Sequence, residues 1–165
     1  MTLLMRELIG DADEARFEGR RRDSLAVNSE NARRRRLRAV TAGGTSVAVD
    51  LPRGSFIRHD AVVHDDGGCI IVAERAPEPA LVVRLDDSLD GDALVEQTAL
   101  VAHWAGNQHL LVETDGHDIR VRIATTPDLM LDAARALHLP GAEISVADVP
   151  FALHGAPLVS GHSHG

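Results

Sequence analysis

The chain has 165 residues, a hydrophobic fraction of 44% and a formal net charge of −8, which is enough apolar material for one ordinary domain or two small ones. The acidic balance argues against nucleic-acid binding, because phosphate recognition needs a basic surface. The N-terminus becomes charged too early for a signal peptide, and no apolar run reaches the roughly 18 residues of a membrane span. We therefore expect a cytoplasmic protein that does not bind membranes.

Two further features of composition limit the function. The single cysteine, Cys69, cannot form an internal disulfide or a thiolate cage, so any metal must use nitrogen and oxygen ligands. Arginines crowd the first quarter of the chain, whereas acidic residues dominate later. This asymmetry leaves two interpretations open: a face for docking a partner, or ordinary solubilisation by arginine in a chain without lysine.

The first part of the chain has the pattern of a β domain. Apolar residues alternate at Leu37, Ala39 and Thr41 and stop at a glycine pair, which predicts a β-hairpin. The turn sequence DDGG then precedes the apolar run CIIVA, which predicts a second hairpin. We predict that residues 1–76 form a small all-β domain, which is the partner-binding domain if its arginines serve for docking.

The sequence APEP marks a boundary, because two prolines hold the chain extended between packed units. The spacing after it predicts, in order, a strand at 80–84, a helix at 88–105, strands at 109–112 and 119–123, a helix at 126–137 and a strand at 142–147. Gly106 is expected to end the first helix, and Thr126 to cap the second. Residues 77–150 are thus predicted to be a ferredoxin-like βαββαβ domain, which makes the chain α+β.

Residues 151–165 are rich in Gly, Pro and Ser and are predicted to be a flexible tail. The tail contains His154, His162 and His164, and neutral imidazole is a common ligand for nickel, copper and zinc. A mobile pair of histidines can close over such an ion. The alternative is that this ending is accidental or is the remnant of a purification tag.

His109 is the central candidate ligand in the predicted βαββαβ domain. It directly follows the expected end of the first helix, where a symmetry mate can approach. Two copies across a two-fold axis supply a pair of imidazoles. Water or tail histidines can then complete the coordination shell of the metal. Hydrolase and phosphate-binding motifs such as HExxH, GxSxG and a glycine-rich phosphate loop are absent from the sequence. We therefore predict a metal-binding protein and not an enzyme.

Several motifs in order resemble the urease accessory protein E family. They are the basic strand RRRRLR, the turn DLPRG, the linker APEP and the signature GNQH, which ends at His109. The resemblance covers roughly residues 20–150 and implies a homodimeric nickel chaperone. In that family the protein delivers Ni(II) to apo-urease together with further accessory proteins, including a GTPase, and the histidine of the signature binds nickel at the dimer interface.

Departures from the family pattern leave the rest of the ligand set open. The upstream histidine, His103, is displaced by one residue, which turns it by roughly 100 degrees on a helix. Asp128 stands where many members have histidine, and its carboxylate can either bind metal or favour the helix N-terminus. His117 is a possible accessory ligand. Imidazole sites also bind zinc and copper, so these histidines do not by themselves specify nickel. The alternative function is a protein-binding adaptor with incidental zinc or copper binding.

Overall fold

A computed structural model describes residues 2–152 of the chain, which divide into two compact units at Ala76 and Pro77. The protein is α+β, with mostly strands and two helices. None of the helices within the described part is both long and apolar enough to cross a membrane.

The first unit is built from seven strands and two short 3-10 turns. The strands are β1 (Leu3–Met5), β2 (Gly10–Asp11), β3 (Arg21–Val27), β4 (Arg36–Val40), β5 (Ser46–Asp50), β6 (Ala61–Asp65) and β7 (Cys69–Arg75). They form a three-stranded sheet in the order β1-β5-β4 and a four-stranded sheet in the order β2-β6-β7-β3. Both predicted hairpins, β4–β5 and β6–β7, are confirmed.

The core of the first unit lies between its two sheets. Met5, Val47 and Val49 from the three-stranded sheet share one buried cluster with residues of the four-stranded sheet that include Leu25 and Ile71. A second cluster, which includes Phe17 and Ile70, covers the other face of the four-stranded sheet. Because side chains alternate along a strand, a sheet that is covered on both faces needs a continuous apolar run. This explains the run CIIVA.

The second unit has the element order strand, helix, strand, strand, helix, strand. Its elements are β8 (Glu78–Arg84), α1 (Gly91–Asn107), β9 (Val112–Asp115), β10 (Asp118–Arg122), α2 (Pro127–Arg135) and β11 (Glu143–Val149). The strands form an antiparallel sheet in the order β11-β8-β10-β9. Val101 of α1 and Met130 of α2 are buried in one cluster with Leu81 and Ile119 of the sheet.

The connections of the second unit fix the directions of its helices. β8 and β9 both run antiparallel to β10, so α1, which connects β8 to β9, runs in the opposite direction to those two strands. α2 connects β10 to β11, and both of these strands run antiparallel to β8. The two helices are therefore antiparallel, and the C-terminus of α1 lies at the same end of the sheet as the N-terminus of α2.

Some local predictions were wrong in detail. Gly106 lies inside α1 and does not end it. The strand that was predicted to begin at His109 begins at Val112, because the preceding residues form the turn that leaves the helix. Thr126 occupies the N-cap of α2 as predicted, but its side chain makes no capping hydrogen bond. In α1, by contrast, the N-cap Asp90 accepts a hydrogen bond from the backbone N–H of Ala93 (2.9 Å).

Candidate metal centre

His109 lies at the C-terminal end of α1 in a tight helix-ending turn. The backbone N–H of Leu110 donates to the carbonyl of Ala105 (3.0 Å), and that of His109 donates to the carbonyl of Gly106 (3.0 Å). This pair of bonds defines the Schellman motif, whose turning residue adopts the left-handed conformation and is usually glycine. Here that residue is His109, with φ of 56°. Its side chain is exposed.

The conformation of His109 has an energetic cost. A residue with a β-carbon in the left-handed region is destabilised by roughly 1–2 kcal/mol, although histidine is found there more often than most residues. α2 ends in a similar way, because His138 has φ of 52° and its backbone N–H donates to the carbonyl of Arg135 (3.1 Å). The second unit thus has two exposed histidines with a positive φ, one just after each helix.

The electrostatic environment of His109 suits a cation. The last four carbonyl groups of a helix lack helical partners and carry partial negative charge, which attracts cations. The last turn of α1 contains no basic residue, whereas the last turn of α2 contains Arg135. The last turn of α1 itself therefore carries no positive side chain that would oppose a bound cation.

His103 lies on α1, six residues before His109, and is also exposed. Its Nε2 atom is 3.0 Å from the side-chain Nδ2 of Asn107. An amide nitrogen can donate to Nε2 when the imidazole proton is on Nδ1. In this tautomer His103 is held on the helix surface through the nitrogen that would otherwise be available to a metal.

The other candidate ligands fall into three places. Asp128 lies exposed in the first turn of α2, at the same end of the sheet as His109. His117 lies in the turn between β9 and β10, at the opposite end, where its carbonyl accepts a hydrogen bond from the backbone N–H of Leu85 (2.9 Å). Its Nδ1 is 3.6 Å from a carboxylate oxygen of Asp87. The three tail histidines, His154, His162 and His164, lie outside the described residues.

One copy of the described chain does not assemble a complete metal site. Within residues 2–152, no group of three or more His, Cys, Asp or Glu side chains is placed to hold an ion. Transition metals bound through imidazole take four to six ligands. His109 and its end of the second unit can therefore contribute only part of a coordination shell.

The sequence patterns did not indicate two features of this region. His138 was left without a role, although it shares the left-handed geometry of His109. In the sequence Asn107 stands out only as part of the signature GNQH, whereas in the structure its side chain contacts His103. The sequence signal for the left-handed histidine is the absence of a glycine where the helix ends. The signal for the contact between His103 and Asn107 is their spacing of four residues on a helix.

Comparison with known proteins places these observations in a family. The sequence pattern described as "UreE urease accessory protein, N-terminal domain" matches residues 5–75. The chain is 30% identical over 147 residues to urease accessory protein UreE of Paraburkholderia xenovorans, and 36% identical over 132 residues to that of Burkholderia ambifaria. It is 26% identical over 147 residues to the protein of the same name from Albidiferax ferrireducens.

The chain belongs to the UreE family of urease accessory proteins. The alignments cover 88%, 79% and 88% of this chain, respectively. An alignment of 132 residues within a chain of 165 necessarily extends across His109, so the similarity to UreE proteins includes the second unit. The same alignments cover 59%, 58% and 79% of the three relatives, and the chain thus spans less than two thirds of the first two.

Proposed function

We propose that this UreE family member is a homodimeric, non-catalytic carrier that binds Ni(II) through His109 and delivers it to apo-urease in the cytoplasm. In this proposal the second unit is the ferredoxin-like metal-binding and dimerisation domain. The first unit docks onto urease and its accessory proteins, including the GTPase. Nickel is the cargo, so the site must release it as well as bind it.

The observation that carries the proposal is a left-handed, exposed His109 beside a helix end without a basic side chain. His138 shares the conformation but follows a helix whose last turn contains Arg135. A strained residue is kept when it has a role that an unstrained one cannot fill, and such residues concentrate at functional sites. Glycine fits this turn without strain, so the imidazole itself is the plausible reason for the histidine. Its exposure and the cation-attracting helix end beside it suit a metal that must enter and leave.

The outward face of α1 supports the proposed homodimer. Val95 is 67% exposed and Leu100 42% exposed, and Ala99 and Ala102 are exposed on the same helix. Gly106 lies on this helix with nothing within 4 Å of the position of an added Cβ. A glycine inside a helix costs about 1 kcal/mol relative to alanine, and nothing within the described chain requires it. Close approach of a second copy would require it.

The same arrangement supplies the missing ligands. A two-fold axis beside the C-terminus of α1 brings together two copies of His109, and each copy can add Asp128 or a histidine of the tail. Release follows from the chemistry of imidazole, because a protonated ring has no lone pair for the metal. An exposed site with few ligands per chain is suited to transfer rather than to permanent retention.

Equilibrium dialysis with nickel tests the carrier function. We expect one tightly bound ion per dimer, which His109→Ala abolishes and His138→Ala retains. His138 is a matched control because it is also an exposed histidine in the left-handed conformation at a helix end. Equal binding by wild type and His109→Ala would contradict the proposal.

Analytical ultracentrifugation tests the dimer separately. Ala99→Arg places a long charged side chain on the outward face of α1, and we expect it to yield monomers. Ala136→Arg is the control, since Ala136 is an exposed alanine at the end of the other helix and arginine is favourable at a helix C-terminus. A dimeric Ala99→Arg variant would place the interface elsewhere.

One observation favours the alternative function, a protein-binding adaptor with incidental zinc or copper binding. The described residues contain no preassembled group of three metal ligands. An adaptor predicts that His109→Ala and His138→Ala lower metal uptake equally, because each removes one surface imidazole. Dialysis against nickel, zinc and copper with both variants therefore distinguishes the two functions.

A further inference from the structure

The outer face of the three-stranded sheet in the first unit combines exposed apolar and basic side chains. In the register of the sheet, Leu4 of β1 lies beside Ala48 of β5, and Ala48 lies beside Arg38 of β4. Leu4 is 54% exposed, and Val40, two residues after Arg38 on the same face of β4, is 61% exposed. A shallow groove of about 250 Å³ follows this row. We call this surface the basic sheet face.

The charge of the basic sheet face is not balanced within the unit. Asp50 is shared between Arg36, at 3.1 Å, and Arg35, at 3.4 Å, and these two guanidinium groups hold the pKa of its carboxyl below the usual value. The side chain of Arg38, unlike its backbone in the β4–β5 ladder, makes no ion pair or hydrogen bond within residues 2–152. A local excess of positive charge therefore persists in a chain whose net charge is −8.

From this combination of charge and shape we propose that the basic sheet face docks an acidic segment of a partner protein. An apolar side chain of that segment would lie in the groove beside Leu4 and Ala48, and flanking carboxylates would pair with Arg38 and Arg36. Complementary charge sets the orientation and association rate of such a contact, while the apolar pair adds affinity. The inference extends the docking role proposed for the first unit and is independent of the metal site.

Two other classes of partner fit this surface less well. A single-stranded nucleic acid needs aromatic side chains for base stacking, and the strands of this face contain none. An anionic membrane would be repelled by the net charge of −8, and the face offers only two large exposed apolar side chains for insertion. A protein segment needs neither stacking nor deep insertion.

The test uses the full chain and a short synthetic peptide in which aspartates and glutamates flank one leucine on both sides. Isothermal titration measures its affinity, and amide chemical shifts locate its binding site. We expect shifts at Leu4, Arg38 and Val40, affinity that falls as salt is raised, and binding weaker by on the order of fivefold in both Arg38→Glu and Leu4→Ser.

Arg21→Glu is the matched control. Arg21 is an exposed arginine on a strand of the same unit but of the other sheet, and it also makes no ion pair among the described residues. This variant should bind the peptide as wild type does, and nickel binding should be unchanged in all three variants.

Three results would overturn the inference: no binding of the acidic peptide, equal weakening by Arg21→Glu and Arg38→Glu, or tighter Arg38-dependent binding to phosphatidylserine vesicles or single-stranded DNA than to the peptide. Loss of nickel binding with retained peptide binding would count against the carrier function alone, so failures of the two proposals are distinguishable.

Discussion

Replacing His109 by glycine separates the role of the imidazole from the backbone conformation that presents it. Histidine at φ of 56° pays about 1–2 kcal/mol for the left-handed conformation. Glycine avoids most of that cost but loses about 0.5–1 kcal/mol more chain entropy on folding. Without metal, the free energy of unfolding of His109→Gly should therefore be higher than that of wild type by about 0.5–1 kcal/mol. The variant should also lose nickel binding.

Urea unfolding followed by circular dichroism measures the first effect, and equilibrium dialysis measures the second. We expect a higher urea midpoint with an unchanged slope. His138→Gly should give a similar gain in stability because its φ is 52°, but it should retain nickel. If His109→Gly is less stable than wild type, or binds nickel equally well, then the strain does not serve a metal-binding imidazole.

Three smaller predictions concern how the elements are held. Asp90→Ala removes the capping bond of α1 and should cost about 1 kcal/mol in urea unfolding, whereas Thr126→Ala should cost under about 0.5 kcal/mol because its side chain makes no such bond. Asp23 accepts hydrogen bonds from the Thr41 hydroxyl and from the backbone of Gly43. Asp23→Ala should therefore cost about 1–2 kcal/mol, and an unchanged midpoint would refute its role in holding the turn. The backbone N–H groups of Gly68 and Cys69 lower the pKa of Asp66 below 3.8. The extra stability of wild type over Asp66→Asn should thus be present above that pH and disappear as pH falls through the lowered pKa.

The sequence predicted the larger elements well because their patterns are strong. Alternating apolar residues identified the β4–β5 hairpin, and the helical spacing identified α1. β1 and β2 were missed because strands of three and two residues are too short to establish a period of two. Their pairing depends on the partner strands β5 and β6, which local sequence does not reveal.

The candidate site was less predictable than the fold. A glycine near the end of a helical pattern is ordinarily taken as its stop, but Gly106 lies one residue before the last residue of α1. The turn instead closes at His109 because hydrogen bonds from His109 and Leu110 satisfy the free carbonyls of that end. Distances between His109 and ligands on other elements depend on the packing of those elements, and ligands from a second copy cannot be read from one sequence.

The central claim is that nickel lies between two copies of His109. Anomalous scattering at the nickel absorption edge, measured on crystals of the nickel-loaded protein, locates the ion directly. We expect a single strong peak per dimer, on a two-fold axis and within bonding distance of both His109 imidazoles. A peak beside His117 or His138, without one at His109, would contradict it.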